Sequence, residues 1–391
     1  MAYRTRSNAT ALQSRLPSRE NDLVVQKSKS FSNVGTGRSA LGAIGNVINK
    51  ENVTRGKKLA RSTSLKPASA LEPVVENVSK ENIPTKKDVQ KRSPSPPIME
   101  VIKQAFSEQQ LANVEDIDKD DHENPQLVSE YVNDIYKYML HLEQEFKVRG
   151  DYMEDQEINA RMRSILIDWL VQVHLRFHLL QETLFLTVSI LDRFLQIQQV
   201  SRSKLQLVGV TAMFIASKYE EMYAPEIGDF VYITDNAYTK SQIRAMECMM
   251  LKTIDYSLGK PLCLHFLRRN SKAGGVDAQK HTLAKYLMEL TLQEYGFVQY
   301  NPSEIAAAAL CLSMKLLDES STWTDTLYYY STYSEEKVLP IIKKMCKQLV
   351  KSENSKLQAV RNKYNSSKFM KISCISELKS SIVTEFADQA S

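Results

Sequence analysis

Part of this chain is written twice, and no other feature restricts its fold as strongly. "TAMFIASK" (Thr211 to Lys218) aligns with "AALCLSMK" (Ala308 to Lys315) at an offset of 97. "YTKSQIRAMECMM" (Tyr238 to Met250) aligns with "YSEEKVLPIIKKM" (Tyr333 to Met345) at an offset of 95. A period of about 96 residues is far longer than a solenoid or propeller unit. It predicts two duplicated all-helical domains of about five helices each, near 158–257 and 261–352. Each copy contains a helix rich in small residues: Gly209, Ala212 and Ala216 in the first, Ala306 to Ala309 in the second. Small side chains at a helix contact let the axes approach closely.

The segments between read as helices. Tyr131, Ile135, Tyr138 and Leu142 form an i, i+4, i+7, i+11 stripe on a first helix. Further helices are expected at about 159–179, 183–198, 203–220 and 239–255. Thr183, Ser201 and Thr239 stand in N-cap positions, and Pro225 and Pro261 fall between segments. Within "RMRSILIDWLVQVHLRFHLL" (Arg161 to Leu180), Met162, Ile165, Leu166, Trp169 and Val173 share one side. Ile167 and Val171 point the other way, and only Arg163, Ser164, Asp168, Gln172 and Arg176 break up the rest. A surface helix has one apolar stripe, so this one is expected inside a bundle, or to carry a docking surface besides its core surface. The best β-like run, Tyr328 to Tyr330, is short and isolated.

Residues 1–98 have a different texture. They hold 7 of the 12 prolines, no Trp, and only Tyr3 and Phe31 as aromatics. Their 18 Lys and Arg against 7 Asp and Glu give +11, which leaves −6 for the rest of a chain of net charge +5. Such a stretch cannot bury enough surface to offset about 1–2 kcal/mol of ordering entropy per residue. It is expected to be a disordered tail, followed by an acidic linker at 99–124. The folded part then divides into 125–257, 258–355 and a C-terminal extension at 356–391. No apolar run reaches the roughly 18 residues of a membrane span. The five cysteines form no C-x-x-C pair, which argues for a reducing compartment and against a zinc site or disulfide framework.

Enzyme signatures fail their context tests. "GTGRSA" (Gly35 to Ala40) fits G-x-G-x-x-A, but no strand precedes it and no βαβ unit surrounds it. There is no P-loop, H-E-x-x-H or G-x-S-x-G motif. His174 and His178 lie one turn apart with no third ligand suggested, so a structural role is expected. "DIDKDD" (Asp116 to Asp121) lacks the Gly and Glu of a calcium loop and reads as linker. Catalysis by this chain is not expected.

"MRSILIDWL" (Met162 to Leu170) resembles the hallmark of the cyclin box, and "KLQLVGVTAMFIASKYEEMYAPE" (Lys204 to Glu226) its following stretch. "LHFLRRNSKAGGVDAQKHTLAKYLMELT" (Leu264 to Thr291) and "NKYNSSKFMKIS" (Asn362 to Ser373) resemble the second box and tail of the B-type, mitotic cyclins. The resemblance covers about 125–391. It implies an all-α fold of two tandem five-helix boxes with an N-terminal helix, in agreement with the repeat, behind the disordered tail.

The resemblance also implies a function: a regulatory subunit, without cofactor, that binds and activates a cyclin-dependent kinase at entry into mitosis. The kinase needs its αC helix turned inward so that a Lys–Glu pair and the metal-binding Asp are in place. Taking such an equilibrium from 1:99 to 99:1 requires about 5.5 kcal/mol of differential binding, within reach of an interface of about 2,000 Å². Carried over residue by residue, the family's kinase contacts fall on Lys218, Tyr219, Glu220, Glu247 and Tyr256. Tyr219 and Tyr256 stand where other cyclins carry Phe, which adds hydroxyls needing partners. Tyr131 and Tyr138 are open to packing on the box or on the kinase. Met162, Ile165, Leu166 and Trp169, with Gln206 beside them, resemble the patch that docks R-x-L motifs of substrates and inhibitors. Periodicity alone leaves open that all four apolar residues are core. Gln172 stands where some cyclins carry Glu, which weakens a charge-assisted bond to the motif's Arg.

The tail carries motifs that agree. "RSALGAIGN" resembles a destruction box through Arg38, Leu41 and Asn46. KEN triplets occur at Lys50, Glu51, Asn52 and at Lys80, Glu81, Asn82. They imply capture by the anaphase-promoting ubiquitin ligase, with Lys57, Lys58 and Lys66 free for ubiquitin. Ser93 and Ser95, each before Pro, fit a proline-directed kinase. Phe106, Leu111, Val114 and Ile117 are spaced like a nuclear export signal, implying shuttling between nucleus and cytoplasm. Arg268, Arg269, His281 and Lys285 are candidates for an anion pocket. The rival is a transcription-type cyclin or transcription-factor-like two-box adaptor. The net −6 after residue 98 argues against nucleic acid, and nothing points to a membrane.

Overall fold

A computed structural model describes residues 113–318 and 320–390. The described residues form helices and turns, with no strand. The first box comprises α2 (Ala160–Arg176), α3 (Gln181–Leu195), α4 (Leu205–Glu220), α5 (Ile227–Ile233) and α6 (Lys240–Thr253), preceded by α1 (Val132–Glu145). The second comprises α7 (Cys263–Ala273), α8 (Ala278–Gln293), α9 (Pro302–Leu317), α10 (Asp325–Ser331) and α11 (Glu335–Glu353). Short helices α12 (Ala359–Tyr364) and α13 (Ser381–Asp388) follow. The repeat is therefore structural: α4 shifted by 97 is α9, and α6 shifted by 95 begins where α11 begins.

The small-residue helices occupy the centres of the boxes. α4 packs on α2, α3 and α6, and α9 on α7, α8 and α11. On α4 everything from Leu207 to Ser217 is buried, and on α9 everything from Ile305 to Met314. Gly209 is required by close approach: a Cβ there would lie 2.7 Å from Leu166 Cδ1 on α2. Starts are fixed locally. Asn159 Oδ1 accepts from Met162 N at 3.0 Å, Asp277 Oδ1 from Lys280 N at 2.8 Å, and Thr239 forms a capping box with Gln242, each satisfying an orphan amide.

Several expectations change here. α3 begins at Gln181, so Thr183 lies in its first turn, not at its N-cap. The cap is supplied from outside: Glu221 Oε1, just past α4, accepts from Leu180 N at 2.7 Å and from the Thr183 hydroxyl. Tyr328 to Tyr330 are helical, capped by Thr324. α5 was not anticipated, because two turns are too few for periodicity to register. On α1 the expected stripe faces outward: Tyr131, Ile135 and Tyr138 are exposed, and Tyr136, Met139 and Leu140 pack on the core. The side-chain hydrogen bonds of α1 reach the second box. Tyr136 OH donates to His265 O at 2.9 Å, and Glu143 accepts from Ser303 N and Oγ at 3.1 and 2.6 Å.

Buried polar groups join the boxes. Asp168 on α2 accepts from Gln293 Nε2 and Ala359 N, both at 2.9 Å, and from Gln172 Nε2 at 3.1 Å. Ser164 Oγ donates to Gln293 O at 2.6 Å. Glu289 on α8 pairs with Lys363 Nζ at 2.7 Å and accepts from Gln181 Nε2 and Tyr364 OH at 3.0 Å each. Groups this deeply buried are tolerable because nearly every lone pair is met.

Candidate functional site: the α4–α6 face

α4 ends on Lys218, Tyr219 and Glu220, and the packing of α6 against α4 brings Glu247 across from Lys218. The two side chains form an ion pair. The Lys218 ammonium also sits 4.4 Å from the Phe214 ring centroid, and cation–π attraction helps hold it in place. Burial, and the nearby Glu182 and Glu221 carboxylates, push the Glu220 carboxyl upward.

Aromatic rings are exposed on the same two elements. Tyr219 is 54% exposed and Tyr256, just past α6, 62%. Met249 and, beyond α4, Met222 and Tyr223 are exposed as well. Asp255 and Tyr256 both have positive φ, 53° and 55°. Left-handed backbone is unfavourable for a bulky side chain; the same paired conformation recurs at Asp235–Asn236 and Met370–Lys371. The turn is held by its own amides: Tyr256 N donates to Leu251 O at 2.8 Å and Asp255 N to Lys252 O at 3.2 Å. Lys218, Tyr219, Glu220, Glu247 and Tyr256 thus all lie on α4, α6 and the turns that end them.

The docking patch is placed differently. Leu166 is wholly buried against Gly209, and Trp169 is buried too, because both belong to the α2 face that meets the protein's own core. Leu166 presents no surface in this conformation, and Trp169 keeps 9% of its own. Met162, Ile165 and Gln206 are half-buried and supply the surface that remains. Ile167, Leu170 and Val171 are core.

The basic cluster divides. Arg269 is buried against Asp118, whereas Arg268 is exposed and pairs with Glu182. Burial, and then the Lys285 and Arg268 charges, press His281 down to about 4, and its Nδ1 lies 2.8 Å from Ser271 Oγ. His174 is buried with Nε2 3.0 Å from Leu180 O, and burial lowers it to about 4; His178 is exposed. Val114 and Ile117 are half-buried. Phe106, Leu111, Ser93, Ser95 and the destruction motifs at Arg38, Leu41, Asn46, Lys50, Glu51, Asn52, Lys80, Glu81 and Asn82 lie outside the described residues.

Helical periodicity missed Arg163, which it counted among the polar interruptions of α2. Arg163 is 1% exposed and bound to Asp192. An arginine on a helix apolar on several sides was the available signal.

The cyclin N-terminal domain family matches residues 134–259, and the cyclin C-terminal domain family residues 261–378. The G2/mitotic-specific cyclin-B of Marthasterias glacialis is 60% identical over 362 residues, which cover 90% of this chain and 93% of that protein. That of Arbacia punctulata is 57% identical over 368 residues, covering 90% and 89%. That of Patella vulgata is 68% identical over 275 residues, covering 70% and 67%. With both domains matched in tandem and identity of this order along most of its length, the chain belongs to the two-box cyclins, among the B-type, mitotic members.

Proposed function

We propose that this chain is the regulatory subunit of a mitotic cyclin-dependent kinase, binding it through the α4–α6 face and holding it in its active arrangement. The observation that carries this is the Lys218–Glu247 pair, set on the same two elements as the exposed Tyr219 and Tyr256. The Lys218 side chain is 46% exposed while Glu247 is only 13%, so the pair holds the ammonium in place and leaves it accessible beside exposed aromatic rings. Aromatic anchors beside a positioned charge are the composition of interface hot spots. The relatives are named for G2 and mitosis, which supports the same timing here. The test is to mix the purified chain with a monomeric cyclin-dependent kinase and follow histone phosphorylation. A shift from 1:99 to 99:1 raises the active fraction about a hundredfold. No stimulation rejects the proposal.

The remaining roles belong to the same reading. Met162, Ile165 and Gln206 form the accessible part of a docking surface for short motifs of substrates and inhibitors. Arg38, Leu41, Asn46 and the two KEN triplets direct the anaphase-promoting ubiquitin ligase to the chain. Ser93 and Ser95 accept phosphate, and Phe106, Leu111, Val114 and Ile117 serve export in a protein that shuttles between nucleus and cytoplasm. Arg268, His281 and Lys285 form a basic cluster suited to an anion. Deleting Arg38 to Asn46 together with both KEN triplets is expected to stop mitotic turnover. The transcription-type alternative expects turnover unchanged by that deletion and no stimulation of histone phosphorylation.

A further inference from the structure

The acidic segment ahead of α1 is tied to the second box. Asp118 is buried, and its two oxygens accept from Arg269 Nη1 and Nη2 at 2.6 Å each, a bidentate clamp. Lys272 Nζ adds a bond to Asp118 at 2.8 Å and pairs with Asp121. The Glu115 amide donates to Thr326 Oγ1 at 3.1 Å, and the Ile117 amide to Tyr330 OH at 3.4 Å. All four partners lie on α7 or α10, between 151 and 213 residues away in sequence.

Arg269 is held ready for a carboxylate by groups outside that segment. Its guanidinium carbon lies 5.3 Å from the Tyr136 ring centroid and 4.7 Å from that of Tyr330. Nη2 is further anchored on Asn133 Oδ1 at 2.8 Å. A guanidinium stacked on aromatic rings keeps its fork aimed in one direction. A buried charge without a counter-ion is strongly unfavourable, so the site demands an anion. The resident segment also fills the cleft incompletely. A cavity of about 500 Å³ remains between it and the second box, bordered by Lys272, Gly274, Met314 and Thr326.

We propose that Arg269 and Lys272 form a binding site for acidic peptide segments, with the chain's own residues 113–121 as resident occupant. The partner that fits is a protein segment with an apolar residue directly before an Asp and a second carboxylate three residues on, as in Ile117, Asp118 and Asp121. Bound in trans, such a segment displaces the resident one. A peptide is specified over a free anion because Thr326 and Tyr330 accept backbone amides.

The test uses the full-length chain and a fluorescent nine-residue peptide copying residues 113–121, followed by anisotropy. Asp118→Ala removes the resident carboxylate, and hydrogen exchange at the Glu115 and Ile117 amides reports whether the segment has left. Faster exchange at both amides is expected, with peptide binding at least tenfold tighter than to wild type. Changing the peptide's own Asp118 to Asn should abolish that gain. Arg269→Gln in the chain should abolish it too, and the exposed Lys272→Gln, which leaves the fold intact, should weaken binding several-fold. Unchanged exchange in the Asp118→Ala chain overturns the proposal. So does a released segment whose empty site fails to bind the peptide, or binding indifferent to Lys272→Gln and to the peptide's Asp. None of these readouts involves a kinase.

Discussion

Arg163 on α2 and Asp192 on α3 form a closed bidentate ion pair, with Nε and Nη2 each 2.7 Å from a carboxylate oxygen. The remaining Nη1 donates to Leu292 O at the end of α8, 2.9 Å away. Tyr152 OH completes the carboxylate at 2.8 Å. One buried guanidinium thus joins two helices of the first box to the second. Burial alone would loosen its proton, but the adjoining carboxylate outweighs that and the net direction is upward.

Arg163→Met leaves Asp192 buried and unpaired, a change that typically costs about 3–5 kcal/mol. The Arg163→Met/Asp192→Leu double variant should recover much of that loss, since an apolar pair of similar volume removes the stranded charge. Urea unfolding of the three chains measures both. A double variant no more stable than the single one would contradict this account of the pair.

Asp168→Ala removes the acceptor shared by Ala359 N, Gln293 and Gln172. An unpaired buried donor costs about 1–3 kcal/mol, and the Ala359 amide opens α12. Hydrogen exchange at Ala359 and the residues after it should rise well before exchange in α4. Simultaneous loss of protection would mean that α12 is not held locally.

Gly209→Ala sets a methyl 2.7 Å from Leu166 Cδ1, which is itself wholly buried. Overpacking of this kind costs about 1–3 kcal/mol. Adding Leu166→Val should relieve part of the clash, and thermal unfolding distinguishes the two chains.

The Gly209–Leu166 contact also shows what the sequence could and could not reveal. The repeat located α4 and α9 and their central position, because small residues at matching positions leave a signature in the chain. Apolar spacing located α2 and α4 but did not say which of two apolar faces meets the protein itself. The family resemblance, not the spacing, puts Leu166 and Trp169 at a docking patch, and the spacing groups Tyr131, Ile135 and Tyr138 in one stripe without deciding between the box and a partner. Buried charge was the least legible. Asp192 is 29 residues from Arg163 and Asp118 is 151 from Arg269, and no local pattern links such pairs. Lys218 and Glu247 were found only through the family resemblance, since a lysine ending an apolar helix is otherwise an ordinary solvated charge.

Glu143 introduces a pH dependence. Burial pushes its carboxyl up to about 7, against the opposing bonds from Ser303. A carboxyl raised on folding binds its proton more tightly folded than unfolded. Its stabilising contribution is therefore complete below the unfolded value near 4.5 and is lost as the pH rises through about 7. The full change is worth about 3 kcal/mol. Glu143→Gln should remove this component, so the stability difference between variant and wild type should grow in the variant's favour from pH 5 to pH 8. A constant difference across that range would contradict the assignment.

Charge reversal at Lys218 bears most directly on the α4–α6 face. Isothermal titration of a monomeric cyclin-dependent kinase with the Lys218→Glu chain should give a Kd at least tenfold weaker than wild type; the new carboxylate faces Glu247, whose side chain is only 13% exposed, so the titration is run where thermal unfolding shows both chains fully folded. A Kd equal to that of wild type, measured where both chains are folded, would contradict the claim that this face grips the kinase.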